Sequence, residues 1–256
     1  MRLRRVWVAF SLSARDLLRR RIVLLLMLLV PSVFYAITFV TTTNQSTTFQ
    51  LSAIEAEDYL TVSQRHEALV FIGLAAVGVL TSFLGMNLSQ RDIEVFRRLV
   101  ACGYPPGEIV LARLGVLACV VLFMSAFVAS FLEAFFPPRQ PSLVYAGFAL
   151  CGWVYGSYGL LVGALFRQEL EGVLFVVLLA NIDIGWLQNP IYYAYAQNQI
   201  VIRSLPGYWP SQVTMAAAFS EHTALELLPT ALMSLAYGTA LLAVAFAVYS
   251  GRTRRH

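Results

Sequence analysis

Lysine is missing from this 256-residue chain: all 18 of its cationic residues are arginine, set against 14 carboxylates, and charged residues make up only 12% of it. A phosphate-binding loop needs G-x-x-x-x-G-K-[ST], whose lysine reaches the β- and γ-phosphates, so no orthodox ATPase module fits in this sequence. Histidine and cysteine are equally scarce, three of each. An intramembrane serine hydrolase built on Gly156-Ser157-Tyr158-Gly159 lacks a base: His66 and His222 lie outside the apolar runs and His256 is the last residue. Metal-dependent proteolysis fails for want of an H-E-x-x-H pair. Cys102 falls in an arginine-rich loop and Cys119 and Cys151 inside apolar runs, so no disulfide is expected.

Apolar residues are plentiful instead, 59% of the chain, and the mean hydropathy is +0.70. A soluble domain of this length needs a charged surface that so few charges cannot supply. A spanning helix needs roughly 20 mostly apolar residues, and six apolar runs, uncharged except for Glu133 and Asp183, stand out: 22–40, 68–88, 114–136, 142–166, 172–187 and 227–249. The fifth is short and Pro190 follows it, which predicts a span that ends early within the protein. Six spans put both termini on one side. That side collects fifteen arginines, in 2–21, 91–113, 167 and 252–255, while the other holds Arg65, Arg139 and Arg203. The positive-inside rule therefore predicts cytoplasmic termini. Arginine without lysine also points to a GC-rich bacterial genome, hence to a bacterial cytoplasmic membrane.

Before the first span, Leu3, Trp7, Phe10, Ala14 and Leu17 recur at helical spacing, with Arg4, Arg5, Arg15 and Arg19 elsewhere around the helix. The pattern predicts a helix over 1–21 lying flat on the membrane, its stripe at the acyl boundary and its arginines on anionic head groups. A merely basic tail that fixes topology is the alternative. A signal peptide fits poorly, because the run from Ile22 is long enough to span and no small-residue cleavage pattern precedes Thr41.

The cytoplasmic loop 89–113 reads SQRDIEVFRRLVACGYPPGEIVLAR. Asp92 and Glu94 come early and Arg97 and Arg98 late, the order that suits a helix dipole. Cys102-Gly103 offers a stop and Tyr104-Pro105-Pro106-Gly107 a stiff turn before Glu108 opens the next helix. A rigid projecting knob and a tidy connector are both open readings. Inside the spans, Glu133 and Asp183, the latter near Asn181, Trp186 and Gln188, are the ionisable candidates for a pathway, gate or anchor. A carboxylate capping broken backbone is the plainer reading. Gly152, Gly156, Gly159 and Gly163 in span four are spaced for close helix packing, more within the chain than between copies. The external segment 188–226 is rich in aromatics and predicts two short re-entrant or surface helices, broken at Pro206-Gly207 and Pro210. Asn44-Gln45-Ser46 is a sequon of the kind that arises by chance.

The six-span layout, the flat N-terminus, the loop helix ending in GYPPGEIVLAR, the RQELEG before span five and LPGYWPSQVTMAAAF before the last span together resemble the membrane subunit of an ABC type 2 exporter. The similarity covers nearly the whole chain. Four-span permeases related to cell-division and macrolide exporters carry loops of like shape, but the span count and the external segment argue against them. The resemblance implies an all-α integral membrane protein in one transmembrane domain, 1–256. It implies two copies of a separate ABC ATPase carrying ATP and Mg, with no cofactor in this chain, and a second permease copy or a sister permease. It makes the loop helix a coupling helix, with contacts centred on Asp92, Glu94, Phe96, Arg97, Arg98, Tyr104, Pro105, Pro106 and Glu108. It places the seam between permeases on spans two and five, with Gly73, Gly78, Ser82, Gly85 and Asn87 as candidates. The expected activity is export of a hydrophobic or amphipathic substrate. An ion- or proton-coupled carrier or channel is the alternative, although no clear internal repeat supports it.

Overall fold

The structure, a computed structural model, describes residues 2–51, 59–90, 106–166, 168–194 and 196–254. Its elements in chain order are α1 (Arg2–Arg19), α2 (Arg21–Thr41), β1 (Ser46–Gln50), β2 (Tyr59–Ser63), α3 (Gln64–Gln90), α4 (Pro106–Glu133) and α5 (Pro141–Leu165). After them come α6 (Glu169–Ile182), a π-helical turn (Asp183–Leu187), α7 (Pro190–Ala194), α8 (Gln199–Ser204), α9 (Tyr208–Phe219) and α10 (Ala224–Arg254). Six helices, α2, α3, α4, α5, α6 with its π turn, and α10, are long and apolar enough to cross a membrane. The chain is a helical, multi-pass membrane protein.

Span boundaries follow local chemistry. The fifth span is not short: it starts at Glu169 and runs 19 residues to Leu187. Glu169 and Glu171 occupy its first turn, where carboxylates suit the positive end of the helix dipole, so a run begun after these two charges starts too late. Span three stops at Glu133 rather than Phe136, because Pro137 and Pro138 cannot extend it. Proline at the first helical position then opens α5, where its absent N–H leaves no bond unmade. Pro31 sits inside α2, and the Ser32 hydroxyl donates to the Leu28 carbonyl in the adjoining turn.

α5 is the axis of the bundle, packed against α3, α4, α9 and α10. Burying one apolar helix on another gains little in lipid, so close approach of backbones has to supply the contact. Glycine provides it. A Cβ at Gly159 would overlap the Ser82 carbonyl, and one at Gly85 the Gly156 carbonyl. A Cβ at Gly156 would press on Leu117 of α4, 2.9 Å away. The seam candidates of span two are thereby corrected: Gly78, Ser82 and Gly85 are buried against α5 or the π turn, and Gly73 receives the Tyr35 hydroxyl and the Phe148 ring. Their small size is used within the chain. Asn87 is half-buried and donates to the Phe83 carbonyl at 3.2 Å.

Three further features differ from the sequence expectations. Strands β1 and β2 pair antiparallel with Phe49 opposite Leu60 and Thr47 opposite Val62. Phe49, Leu60 and Val62 turn toward the core, and Thr48 and Thr61 pair at 3.1 Å on the exposed side. The segment 188–226 holds three helices, not two, and Pro210 lies in the first turn of α9, where a missing N–H is tolerated, instead of breaking it. The stripe of α1 docks on protein: Phe10 covers Gly115 of α4, and Ala14 and Leu17 join a cluster with Met27, Val116 and Val121. Trp7, stacked on Phe10 at 5.5 Å, stays exposed at the edge of that stripe. Arg4, Arg5, Arg15 and Arg19 are exposed.

Replacing Gly159 with valine is expected to destabilise the bundle by at least about 1–3 kcal/mol, the usual effect of overpacking. Gly107→Ala, with no atom of the described residues near its added methyl, should be neutral. Thermal unfolding in detergent, followed by the loss of monodisperse protein, reads both.

Candidate functional site

Asp183 is completely buried where α6 gives way to the π turn. Widening a helix to i→i+5 bonding brings residues five apart onto one side, and this places Gln188 beneath Asp183. Gln188 Nε2 donates to Asp183 Oδ1 at 2.6 Å and to the Ile202 carbonyl at 3.3 Å. From α5, Tyr155 Oη donates to Oδ2 at 2.5 Å. From the loop between α8 and α9, the Gly207 N–H donates to the same oxygen at 2.8 Å. A side chain at Gly207 would meet the Tyr155 hydroxyl at 2.9 Å and Asp183 Oδ1 at 3.0 Å, so only glycine lets the backbone come this near.

A carboxylate held by three donors in a buried setting is an anchor. Removing the donors leaves an uncompensated buried group, whereas the full set ties three separate stretches of chain together. Around this anchor the helices α7–α9 are pinned to the bundle. Tyr237 of α10 donates to the Ser204 carbonyl at 2.9 Å, and Arg203 Nε to Tyr193 Oη at 2.8 Å. The Arg139 and Gln140 amides donate to the carbonyls of Ala218 and Ala217 at 3.1 and 3.0 Å. Gln140 Nε2 reaches the carbonyls of Ser220 and His222, and Arg139 pairs with Glu221. Rings close the same end. His66 stacks on Phe136 at 4.4 Å, Phe136 on Phe219 at 5.9 Å, and Phe49 meets Phe219 edge-on. Arg65 lies over Phe39, 4.7 Å from its centroid, and donates to the Thr42 carbonyl.

The other residues singled out in the sequence lie apart. Asn181 is exposed, its amide donating to the Val177 carbonyl of its own helix, and Trp186 is 54% exposed and meets Tyr192 edge-on. Both face away from Asp183. Glu133 is exposed at the end of α4. Asp92, Glu94, Phe96, Arg97, Arg98, Tyr104 and Pro105 lie outside the described residues; Pro106 begins α4, and Glu108 in its first turn is half-buried. Tyr155 escaped the sequence reading, which took Gly207 only for a helix break, and so did Glu67, which is buried in the first turn of α3 with Oε1 unpartnered. A tyrosine among glycines in an apolar run and a glycine after Pro206 were the available signals, and neither names its partner. Ser157 is buried with no hydrogen-bond partner for Oγ. Among the described residues no three His, Cys, Asp or Glu side chains come together to hold a metal.

No protein-family model matches the chain, and no curated protein matches it either.

Tyr155→Phe should reduce stability by about 1.5–3 kcal/mol, the worth of a hydrogen bond to a charged group. Gly207→Ala should act in the same direction, and Glu133→Gln should change nothing. Thermal melting of the three purified variants measures this.

Proposed function

We propose that the chain is the membrane-spanning subunit of an ATP-driven ABC type 2 exporter, moving a hydrophobic or amphipathic substrate outward with energy from a separate ATPase. The reading sets both termini and residues 91–105 in the bacterial cytoplasm and pairs the chain with two ATPase copies and a second permease, itself or a sister. The observation that carries it is a six-span bundle whose chain has no lysine for a phosphate-binding loop, yet whose helices project at the arginine-rich end.

That projection follows from lengths. α3 and α4 have 27 and 28 residues, about 40 Å each at about 1.5 Å per residue, against a hydrocarbon core of about 30 Å. Both helices are therefore about 10 Å longer than the core, and in this reading the excess lies on the side of the loop 91–105. The loop 91–105 joins these extensions, and α4 continues from Pro106 to Glu133 without a break. A push on the loop would move α4 as a rod, and with it α1 and α5, which pack on it. The pinned helices α7–α9 and the Asp183 anchor would then act as the outer closure, opening by movement of α5 against α6.

An ion-coupled carrier is the second reading, and buried Glu67 with its unpartnered Oε1 is what favours it. The two separate in proteoliposomes: the exporter requires ATP and its partner, the carrier a gradient alone. Purification in mild detergent is expected to recover an ATPase bound to the chain, and the chain by itself should hydrolyse no ATP. Arg97→Ala or Glu108→Ala should weaken that association about tenfold or more, since removing one member of a buried interfacial charge pair costs about 2–5 kcal/mol. Gradient-driven transport by the isolated chain would overturn the reading.

A further inference from the structure

Glu67 is 1% exposed in the first turn of α3, and the exporter reading gives it no task. Residues three, four and seven places further on share its face of the helix, and these are Val70, Phe71 and Leu74, all buried apolar side chains. Oε1 is enclosed without a hydrogen-bond partner, and among the described residues neither oxygen meets a cation.

The hairpin end of the molecule is poor in basic residues, and each is committed elsewhere. Arg65 donates to the Thr42 carbonyl and lies over Phe39, and His66 stacks on Phe136. Arg139 pairs with Glu221, Arg203 donates to Tyr193, and His222 pairs with Glu226. The undescribed stretch 52–58, SAIEAED, contains no basic residue. Residues 91–105 follow Gln90, which is 23 residues and about 35 Å along α3 from Glu67. The remaining undescribed cations, Arg167, Arg255 and His256, follow Phe166 and Arg254 in sequence, at that far end of the bundle. Of the ionisable groups on the helices packed against α3, Tyr35 rests on Gly73, Cys151 donates to the Leu74 carbonyl, Asp183 is bound by Tyr155, and Glu133 is exposed.

No protein cation is thus left to neutralise Glu67. A place in the first turn favours a carboxylate through the helix dipole, but that help is small beside the cost of holding an ion away from water with no donor on it, and a group so placed takes up a proton instead. A metal ion fits poorly, since hard cations gather about six oxygen ligands and the neighbours of Glu67 along its face are hydrocarbon.

We propose that Glu67 is a proton-binding site, one proton sitting on its carboxyl and turning it into a neutral acid that apolar packing tolerates. Release of that proton requires water to reach the first turn of α3. The assignment rests on neither transport reading: an exporter could hold the acid as part of its packing, and a carrier could exchange its proton.

The test is infrared spectroscopy of the full chain at neutral pH in dodecyl maltoside, a detergent without a carbonyl group. There the C=O stretch of a neutral acid stands apart from the stretches of a carboxylate. With glutamate labelled by carbon-13 at its side-chain carboxyl, the wild type is expected to show an isotope-shifted neutral-acid band, which the label separates from any signal of Asp183. Glu67→Gln, which keeps the shape of the neutral acid, should remove that band. Glu67→Asp should remove it as well, because aspartate carries no label, and it retains an acid if glutamine is not accepted by the fold. Glu108→Gln and Glu133→Gln should leave the band in place. Labelled wild type showing carboxylate stretches alone would overturn the proposal without recourse to a variant, and so would a labelled band that survives loss of Glu67. These spectra report the resting chain and no transport, so the site and the exporter reading can each fail without the other.

Discussion

Water drives apolar helices together, but lipid does not, and a helix already surrounded by acyl chains needs another reason to settle against a neighbour. In this protein the reason is the near-contact of α3 and α5, where Gly85 lies on the Gly156 carbonyl and Gly159 on that of Ser82. Dispersion between closely approached backbones takes the place of the hydrophobic effect, and it falls away steeply with distance. Other placements follow. With α3 and α5 joined, Leu117 of α4 fits against Gly156, Trp153 of α5 against Gly238 of α10, and Thr214 of α9 against Gly147. α2 and α10, by contrast, present most of their length to the surroundings.

The Asp183 anchor depends on that axis. Tyr155 reaches the carboxylate because it lies on α5 one residue from Gly156, and the same ring lies against Gly78 of α3. Two helices thus hold the tyrosine, and the tyrosine helps to hold a charge that would otherwise be costly in this setting. Gly207 brings the third donor from outside the spans, so the carboxylate couples the short helices to the bundle by a bond to backbone. Such a bond is specific in position and insensitive to the neighbouring side chains.

The two ends of the molecule are built differently. At the hairpin end, rings, a cation over an aromatic face and backbone bonds from Arg139 and Gln140 close the bundle. At the other end α1 rests on α4, and among the described residues a groove opens between α4 and α10. In the proposed exporter the closed hairpin end would face outward and the arginine-rich end would face the ATPase.

The sequence by itself determined the class of protein, because the supply of charge limits how much surface can face water and runs of about 20 apolar residues can be counted. It also determined most of the span limits, the apolar stripe of α1 though not the protein surface it meets, and the importance of Asp183, since an ionisable residue stands out against an apolar run. Periodicity along one helix shows which residues share a face but not which helix that face will meet. The family resemblance put a seam between copies at Gly73, Gly78 and Gly85, when they are the floor on which Tyr35, Tyr155 and α5 rest. Only the tertiary structure decided that Asp183 binds Tyr155 and Gly207, 28 and 24 residues away. Hydrogen bonds between distant segments leave no local pattern, and a π turn that swings Gln188 under Asp183 depends on the partners waiting there as much as on the residues it contains.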